Sequence, residues 1–445
     1  MDAKRPSGRR KPRAVGHALL DAVLLDRIPL DRALADSSGF AALDERDRAL
    51  VRHLTATALR RLGQIDALLA GFMRRGLPGR AASVQNALRL GAADIVFLRT
   101  PAHAAVNEAV SLLTAPSARG YRGLANAVLR RLVRDGARLG ASHDAARLNT
   151  PDWLWRSWAG AYGEAAARAI AEAHLAEPPL DITVSAAAED WAGWLHASVL
   201  PTRSLRLAPA PLESLPGFRS GGWWVQDAAA ALPARILLAG LEGRIEDRRI
   251  ADLCAAPGGK TAQLAAAGAR VTALDISAKR LELVAGTLDR LGFAAELVAA
   301  DLRAWTPSAP FDAVLLDAPC TGTGTIRRHP DIARNKTPAD VARMADLQRA
   351  LLDAAAKAVR PGGRLVYAVC SLQPEEGPEP VEAFLAACPA FRRLPVGAEE
   401  VTGIAPFLAP DGDVRTLPCQ LAGQGGIDGF YVCRLERRGG AAALS

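Results

Sequence analysis

DLCAAPGGKT, residues Asp252–Thr261, follows the short run Arg249-Ile250-Ala251 and precedes the helix-forming stretch Ala262–Ala267. A strand end, a glycine-rich turn and a helix start, in that order, form a cradle for a nucleotide-like cofactor. The glycines let the backbone approach the ligand, and the first turn of the helix offers free N–H groups. A Walker phosphate loop needs a glycine five residues before Gly259, where this chain has Cys254, so that reading fails. The dinucleotide pattern G-x-G-x-x-G is absent as well. The plain alternative is a glycine-rich turn with no ligand.

The residues downstream weigh against that alternative. Val271–Asp275 (VTALD) is a short apolar run ending in an acid, and so is Glu296–Asp301 (ELVAAD). Ala313–Asp317 (AVLLD) repeats the pattern, and Arg364–Cys370 (RLVYAVC) ends in a cysteine. Open α/β sheets bind ligands outside the carboxyl ends of their strands, so these four terminal residues should converge. An acid at the second strand end is the usual partner of ribose hydroxyls.

The chain of 445 residues, half of them apolar, suits two or three globular domains. Its net charge of +8 favours a polyanionic partner, although a generally basic protein is the plain alternative. All six cysteines lie at or beyond Cys254, with no C-x-x-C and no histidine at ligand spacing. That pattern argues against a disulfide scaffold and against a structural metal, and no metal ligand is assigned. No secretory signal and no membrane-spanning run is read, so the expectation is a cytoplasmic, monomeric protein.

In chain order, 1–13 carries six Lys/Arg against one acid and reads as a disordered basic arm. From 14 to 135 the pattern is helical, with apolar residues at helix spacing through Leu43–Phe72 and Ala81–Leu98. Arg130, Arg131 and Arg134 read as the end of the last helix, either a phosphate-contacting face or a solvated one favoured by the helix dipole. Gly136–Thr150 reads as a linker, and the tryptophans of Pro151–Trp158 (PDWLWRSW) as packing residues. Pro178–Phe218 reads as a small α+β subdomain, within a linking region of 136–240. Residues 241–445 read as the catalytic-type α/β domain.

Two cysteines end up beside the cradle. Asp317–Gly324 reads DAPCTGTG and presents Cys320 after a rigid proline turn, while Tyr367–Ser371 reads YAVCS and presents Cys370. A free cysteine alone is by default a small inert core residue, but two at strand carboxyl ends are harder to explain so. Carbon 5 of a pyrimidine is too weak a nucleophile to take a methyl group unaided. A thiolate adding to carbon 6 makes carbon 5 enamine-like, and the thiolate later leaves by β-elimination. An acid near N3 or the amino group of cytosine, a role suited to Asp317, would stabilise such an adduct. The base must be flipped out of its stack to be reached.

LRLGAADIVFL (88–98), PAHAAVNEAVSLL (101–113) and GLANAVLRRL (123–132) resemble the helical RNA-binding domain of the NusB family. DLCAAPGGKT, the acids at 275 and 301, DAPCTGTG and VCS resemble the RsmB/Sun family of RNA cytosine-5 methyltransferases, as does WVQDAAAALPARIL (224–237). The resemblance implies an all-α NusB-like N-terminal bundle, a small α+β linking subdomain and a Rossmann-like class I methyltransferase domain. It implies S-adenosylmethionine as methyl donor and RNA, 16S ribosomal RNA first, as partner. By the same resemblance Cys254, Ala255, Ala256, Pro257, Gly258, Gly259 and Lys260 bind the methionine and ribose parts of the donor. Asp275 holds the ribose, Asp301 lies near the adenine, and Asp317 lines the junction of donor and base. Cys370 is then the nucleophile and Cys320 aids product release, an order the residues alone leave open. DNA cytosine-5 methyltransferases use a Pro-Cys nucleophile with Glu-Asn-Val; this chain lacks Glu-Asn-Val and has a second strand-end cysteine, which favours RNA.

The chain departs from that family in places. Asp181–Ser185 reads DITVS where an Arg-Val-Asn-like strand is usual, and Pro374–Gly377 reads PEEG in place of Pro-Glu-Glu-Asn. Arg327 and Arg328, after the DAPC loop, are candidate phosphate contacts, a solvated loop being the alternative. Transfer RNA or 23S RNA remains an alternative substrate, and a non-enzymatic ribosome-assembly factor an alternative class.

Overall fold

The structure is a computed structural model and describes residues 11–73, 75–185 and 188–439. It divides into two compact units, Met1–Ala176 with Ile326–Lys336, and Glu177–Thr325 with Thr337–Ser445. The basic arm expected at 1–13 lies outside the described residues as far as position 10. Pro12 and Arg13 open the first helix, Pro12–Leu24, where Arg13 Nε donates to Asp94 Oδ2 at 2.6 Å.

The first unit is helical. Its core is the stripe the spacing predicts: Leu54, Ala58, Ile65 and Leu69 are buried together with Leu20, Ala92, Leu129 and Leu132. The run 43–72 is two helices, Glu45–Arg60 and Leu62–Phe72. Asp44 starts the first, its carboxylate accepting from Asp47 N at 2.8 Å. Gly63 marks the start of the second, where a Cβ would stand 1.7 Å from the Leu148 carbonyl oxygen. Backbone presses on backbone there, and only glycine fits.

Three sequence expectations change in this unit. The last helix of the expected bundle does not stop at 135 but runs Arg122–Ala141, and Gly136 is a packing residue inside it rather than the start of a linker. A Cβ on Gly136 would meet Leu132 at 3.0 Å and Val96 at 3.2 Å. Three more helices, Ala145–Asn149, Asp152–Tyr162 and Glu164–Ala173, belong to the same compact unit, which reaches Ala176. Arg130, Arg131 and Arg134 are therefore exposed mid-helix residues, away from the negative end of the helix dipole. Finally, Ile326–Lys336 folds with this unit: Leu30 N donates to Asp331 Oδ2 at 3.1 Å, Arg60 to the Arg327 carbonyl at 2.9 Å, and Arg334 to the Asn149 carbonyl at 2.8 Å. Arg327 is only 2% exposed, which removes it as a phosphate contact. Trp155 and Trp158 are buried, in keeping with a packing role.

The second unit holds two sheets. The smaller comprises β1 (Leu180–Val184), β2 (Ser198–Val199), β3 (Leu205–Leu207) and β4 (Trp223–Val225), antiparallel in the order β2-β3-β1-β4. At its head Asp181, 1% exposed, takes both Nε and Nη2 of Arg206 at 2.7 Å, while Arg206 Nη1 donates to the carbonyls of Gln424 and Gly426. The aspartate of DITVS is thus half of a buried ion pair.

The larger sheet comprises β5 (Arg249–Leu253), β6 (Arg270–Asp275), β7 (Glu296–Ala299), β8 (Phe311–Asp317), β9 (Val359–Val369), β10 (Phe391–Arg393), β11 (Val414–Thr416) and β12 (Phe430–Arg437). Its order is β10-β12-β9-β8-β5-β6-β7, with β11 paired to β12. β5 to β9 are parallel and β12 runs against β9. Ile250, Ala251, Ala313, Val314, Leu315 and Leu316 have no exposed surface, as expected of parallel strands covered on both faces. From β5 the chain winds outward through β6 and β7, then returns to the other side of β5 for β8 and β9. The crevice beyond the carboxyl ends of β5 and β8 is therefore the topological switch point, the standard ligand position of such sheets.

Candidate active site

The register sets the strand ends level. Leu253 stands opposite Leu274 on one side and Leu316 on the other, and Asp317 stands opposite Ala368. Cys254, Asp275, Asp317 and Cys370 thus leave the sheet along one edge, as their spacing in the sequence implied. Asp301 follows the end of β7 by two residues.

The turn after β5 is shaped by its own residues. Cys254 adopts φ +62° and Gly258 φ +103°, the latter at the N-cap of the helix Gly259–Ala266. A Cβ on Gly258 would meet Val284 at 3.1 Å. Ala255 N donates to the Leu274 carbonyl at 3.0 Å and Gly258 N to the Ala255 carbonyl at 2.9 Å, which curls Ala255, Ala256 and Pro257 over the end of β6. Behind the helix, Gln226 Nε2 donates to Gln263 Oε1 at 2.7 Å and Gln263 Nε2 to the Ala231 carbonyl at 3.0 Å. The residues of WVQDAAAALPARIL therefore brace the cradle from outside.

Asp252 lies beneath the turn with no exposed surface. Its Oδ2 accepts from Thr261 Oγ1 at 2.6 Å, while its Oδ1 has no hydrogen-bond partner. Burial pushes its carboxyl up to about 7. Burial likewise pushes the Cys254 thiol up to about 12, so this cysteine is a neutral part of the turn.

The acids differ in environment. Asp275 is 1% exposed; it accepts from Ala256 N at 3.3 Å and Ser277 N at 3.0 Å and pairs with Arg280 at 3.1 Å. Asp301 is held by Arg303 through three bonds, from Nε at 3.0 Å, Nη2 at 2.6 Å and the backbone N–H at 3.0 Å, and that pairing draws its carboxyl below the ordinary range. Asp317 accepts from Lys260 Nζ at 2.6 Å. Burial works against the Lys260 ammonium, but Asp317 and Asp252 outweigh it and hold its pKa above that of a free lysine.

The two thiols meet. Cys320 Sγ and Cys370 Sγ stand 3.3 Å apart across the ends of β8 and β9, both partly exposed. The contact with Cys370, followed by burial, raises the Cys320 thiol well above its ordinary value. Ala318 N donates to the Ala368 carbonyl at 2.9 Å and Gly324 N to the Cys370 carbonyl at 3.0 Å, so both loops are tied where they leave the sheet. Gly324 cannot carry a side chain, because a Cβ would stand 1.9 Å from the Gly429 carbonyl oxygen.

Sequence reasoning singled out Lys260 and Asp317 without joining them, and met Glu376 only as part of the PEEG departure, giving it no role. Glu376, completely buried, accepts from the loops of both thiols. A second carboxylate in a Pro-Glu-Glu run, six residues past Cys370, was the available signal. Phe430, whose ring lies 5.4 Å from Lys260 Nζ, was missed too.

Residues 240–436 match the family described as 16S rRNA methyltransferase RsmB/F, and residues 10–134 match the NusB family. Ribosomal RNA small subunit methyltransferase B of Pseudomonas syringae pv. tomato is 36% identical, covering 98% of this chain and 100% of its own length. The protein of the same name from Pseudomonas putida is 37% identical over 95% of this chain and 98% of its own. Among solved structures, that of PH0851 superposes with a TM-score of 0.72 at 22% identity, over 98% of this chain and 100% of its own, a likeness of fold. The parallel sheet, its switch-point cradle and these relatives define an RNA methyltransferase whose methyl donor is S-adenosylmethionine. More particularly, the chain belongs to the RsmB/F family of 16S rRNA methyltransferases, with a NusB-family domain ahead of the catalytic one.

Proposed function

We propose that the protein methylates carbon 5 of a cytosine in 16S ribosomal RNA through a covalent adduct between Cys370 Sγ and carbon 6 of the base. The observation that carries this reading is the pair of thiols 3.3 Å apart at the ends of adjacent strands. Both lie on the edge that also bears the cradle and the Lys260–Asp317 pair. An RNA methyltransferase acting on a ring nitrogen or a ribose oxygen has no use for two thiols there; a pyrimidine carbon does.

The residues fit S-adenosylmethionine. The turn Cys254–Lys260 presents backbone close to a helix N-terminus, suited to the donor's carboxylate. Asp275 retains a lone pair beyond its three protein donors for a ribose hydroxyl, and Asp301 supplies an acceptor two residues beyond the end of β7, suited to the adenine side. The donor supplies an electrophilic methyl group on sulfonium sulfur.

This chain's residues supply the rest. The Cys370 thiolate adds to carbon 6, the Lys260 ammonium offsets the negative charge that develops on the N3 side of the ring, and Asp317, held by Lys260, accepts from the amino group of the cytosine. Once carbon 5 carries the methyl group, its proton is taken up by a base. Cys320, beside the Cys370 sulfur, assists that release step, and the carbon 6–sulfur bond breaks by β-elimination. The action on ribosomal RNA accords with a cytoplasmic protein, and among the described residues no helix is long and apolar enough to cross a membrane.

Bisulfite sequencing of ribosomal and transfer RNA from a strain lacking this protein tests the reading. The expected result is one 5-methylcytosine lost from 16S RNA. A site lost from transfer RNA would change the substrate, and no lost site at all would sink the proposal.

A further inference from the structure

Glu376 lies six residues beyond Cys370, outside the cradle, and shows no surface to solvent. Its oxygens are nonetheless fully engaged. Oε1 accepts from Thr321 N at 2.7 Å and from Gln348 Nε2 at 3.2 Å. Oε2 accepts from Ser371 Oγ at 2.5 Å and from the Thr321 hydroxyl. Thr321 is the residue after Cys320, and Ser371 the residue after Cys370. One carboxylate therefore holds the chain next to each thiol.

The neighbouring bonds point the same way. Gln348 Nε2 also donates to the Pro319 carbonyl at 2.9 Å, on the other side of Cys320. Gln373 N donates to Ser371 Oγ at 3.1 Å, which leaves the serine proton for Glu376. The Tyr367 hydroxyl donates to the Glu376 carbonyl at 2.6 Å, and Arg415 Nη1 donates to the Ser371 carbonyl at 2.7 Å. Thr321, Ser371 and Gln348 hold the Glu376 carboxyl down, but burial is the larger effect and leaves it above the ordinary glutamate value. A buried carboxyl so placed is costly to strip of its partners, so the loops cannot drift apart without breaking several bonds together.

We infer that Glu376 is a positioning residue: it clamps the loops of Cys320 and Cys370 so that the two sulfurs stay in contact. This deepens the thiol mechanism proposed above and rests on it for its catalytic consequence, though not for the geometry. The carboxylate touches neither base nor donor; it acts through Thr321 and Ser371.

The test compares full-length wild-type protein with Glu376→Ala, Glu376→Gln and Thr321→Val. Diamide takes two electrons and two protons from a thiol pair to leave a disulfide, and peptide mass spectrometry of the Cys320–Cys370 cross-link follows its rate. Glu376→Ala should cross-link about ten-fold more slowly and lose about 10²-fold in kcat, the scale of a misplaced reacting group. S-adenosylmethionine affinity by calorimetry should stay within about three-fold, since the cradle lies on other strands. Glu376→Gln keeps the shape and half the acceptors, and should recover part of both losses. Thr321→Val removes one arm of the clamp and should fall between Glu376→Gln and Glu376→Ala, which keeps the test open if Glu376→Ala does not fold. Unchanged cross-linking in all three variants would overturn the inference, whatever the wild-type activity. If instead wild-type protein forms no Cys370–RNA adduct while cross-linking still depends on Glu376, the chemical reading fails and the clamp stands.

Discussion

The Lys260 ammonium meets the Asp317 carboxylate at 2.6 Å, joining the helix after β5 to the end of β8 across the switch point of the sheet. Lys260 is nearly buried while Asp317 is about one-quarter to one-third open, its side chain 29% exposed. The pair neutralises a lysine that could not otherwise remain charged there, and it engages Oδ2 of a side chain that stays partly exposed at the strand end.

Lys260→Met should therefore lower kcat by about 10²-fold, because Asp317 loses the partner that orients it. Steady-state kinetics against RNA at saturating donor checks this. The pair also carries a pH signature. The folded lysine has a raised pKa, so its stabilisation is complete below the ordinary lysine pKa and is lost as pH rises through the folded value. Wild-type protein should lose stability in the alkaline range relative to Lys260→Met, in denaturant titrations read at several pH values.

Asp252 has the same sign in a lower pH window. Its folded pKa, about 7, lies above the ordinary aspartate value, so the folded state holds a proton that the unfolded chain releases. Its stabilising contribution is complete at acid pH and declines as pH rises from about 4 to about 7. Asp252→Asn keeps an acceptor for Thr261 and carries no charge. It should match wild type in melting temperature at low pH and exceed it at pH 8. Equal melting curves at pH 8 would show that the buried carboxyl is not the titrating group.

The thiols separate by their products. Cys370→Ala should abolish both methyl transfer and any protein–RNA adduct. Cys320→Ala should leave attack intact and slow release, so that a covalent adduct accumulates and shifts the protein on a denaturing gel. Normal turnover in Cys320→Ala with no shifted band would remove its role in release.

Gly324→Ala tests the packing beneath the thiols. A methyl group cannot stand 1.9 Å from the Gly429 carbonyl oxygen, so the DAPC loop must move. The expected cost is about 1–3 kcal/mol of stability, as for other overpacked sites, together with a fall in kcat. A chemical melt superposable on wild type would mean that the two backbones part more easily than their contact implies.

Much of this arrangement was legible in the sequence, because it rests on local signals. Apolar runs ending in Asp275, Asp317 and Cys370 specify strands whose polar ends must leave the sheet, and Gly258, at φ +103°, marks a turn that favours glycine. Parallel strands then put those ends on one edge whatever the details of packing. The helical unit was equally readable from its 3.6-residue stripe. The order of the two thiols was not; it came with the family resemblance.

What the chain order alone determined is thus the kind of element at each stretch and the edge on which the chemistry gathers. Tertiary structure decided which distant residues meet there. Arg122–Ala141 outruns the expected linker because Gly136 is pressed between Leu132 and Val96. Ile326–Lys336 folds with the helical unit because Asp331 and the Arg327 and Asn335 carbonyls meet donors from Leu30, Arg60 and Arg27. Lys260 finds Asp317, and Glu376 finds Thr321, over separations of more than fifty residues. Such pairs leave no periodicity and no local propensity in the sequence: a buried charge takes whichever partner the folded backbone brings within hydrogen-bond reach, and that is set only when the sheet has formed.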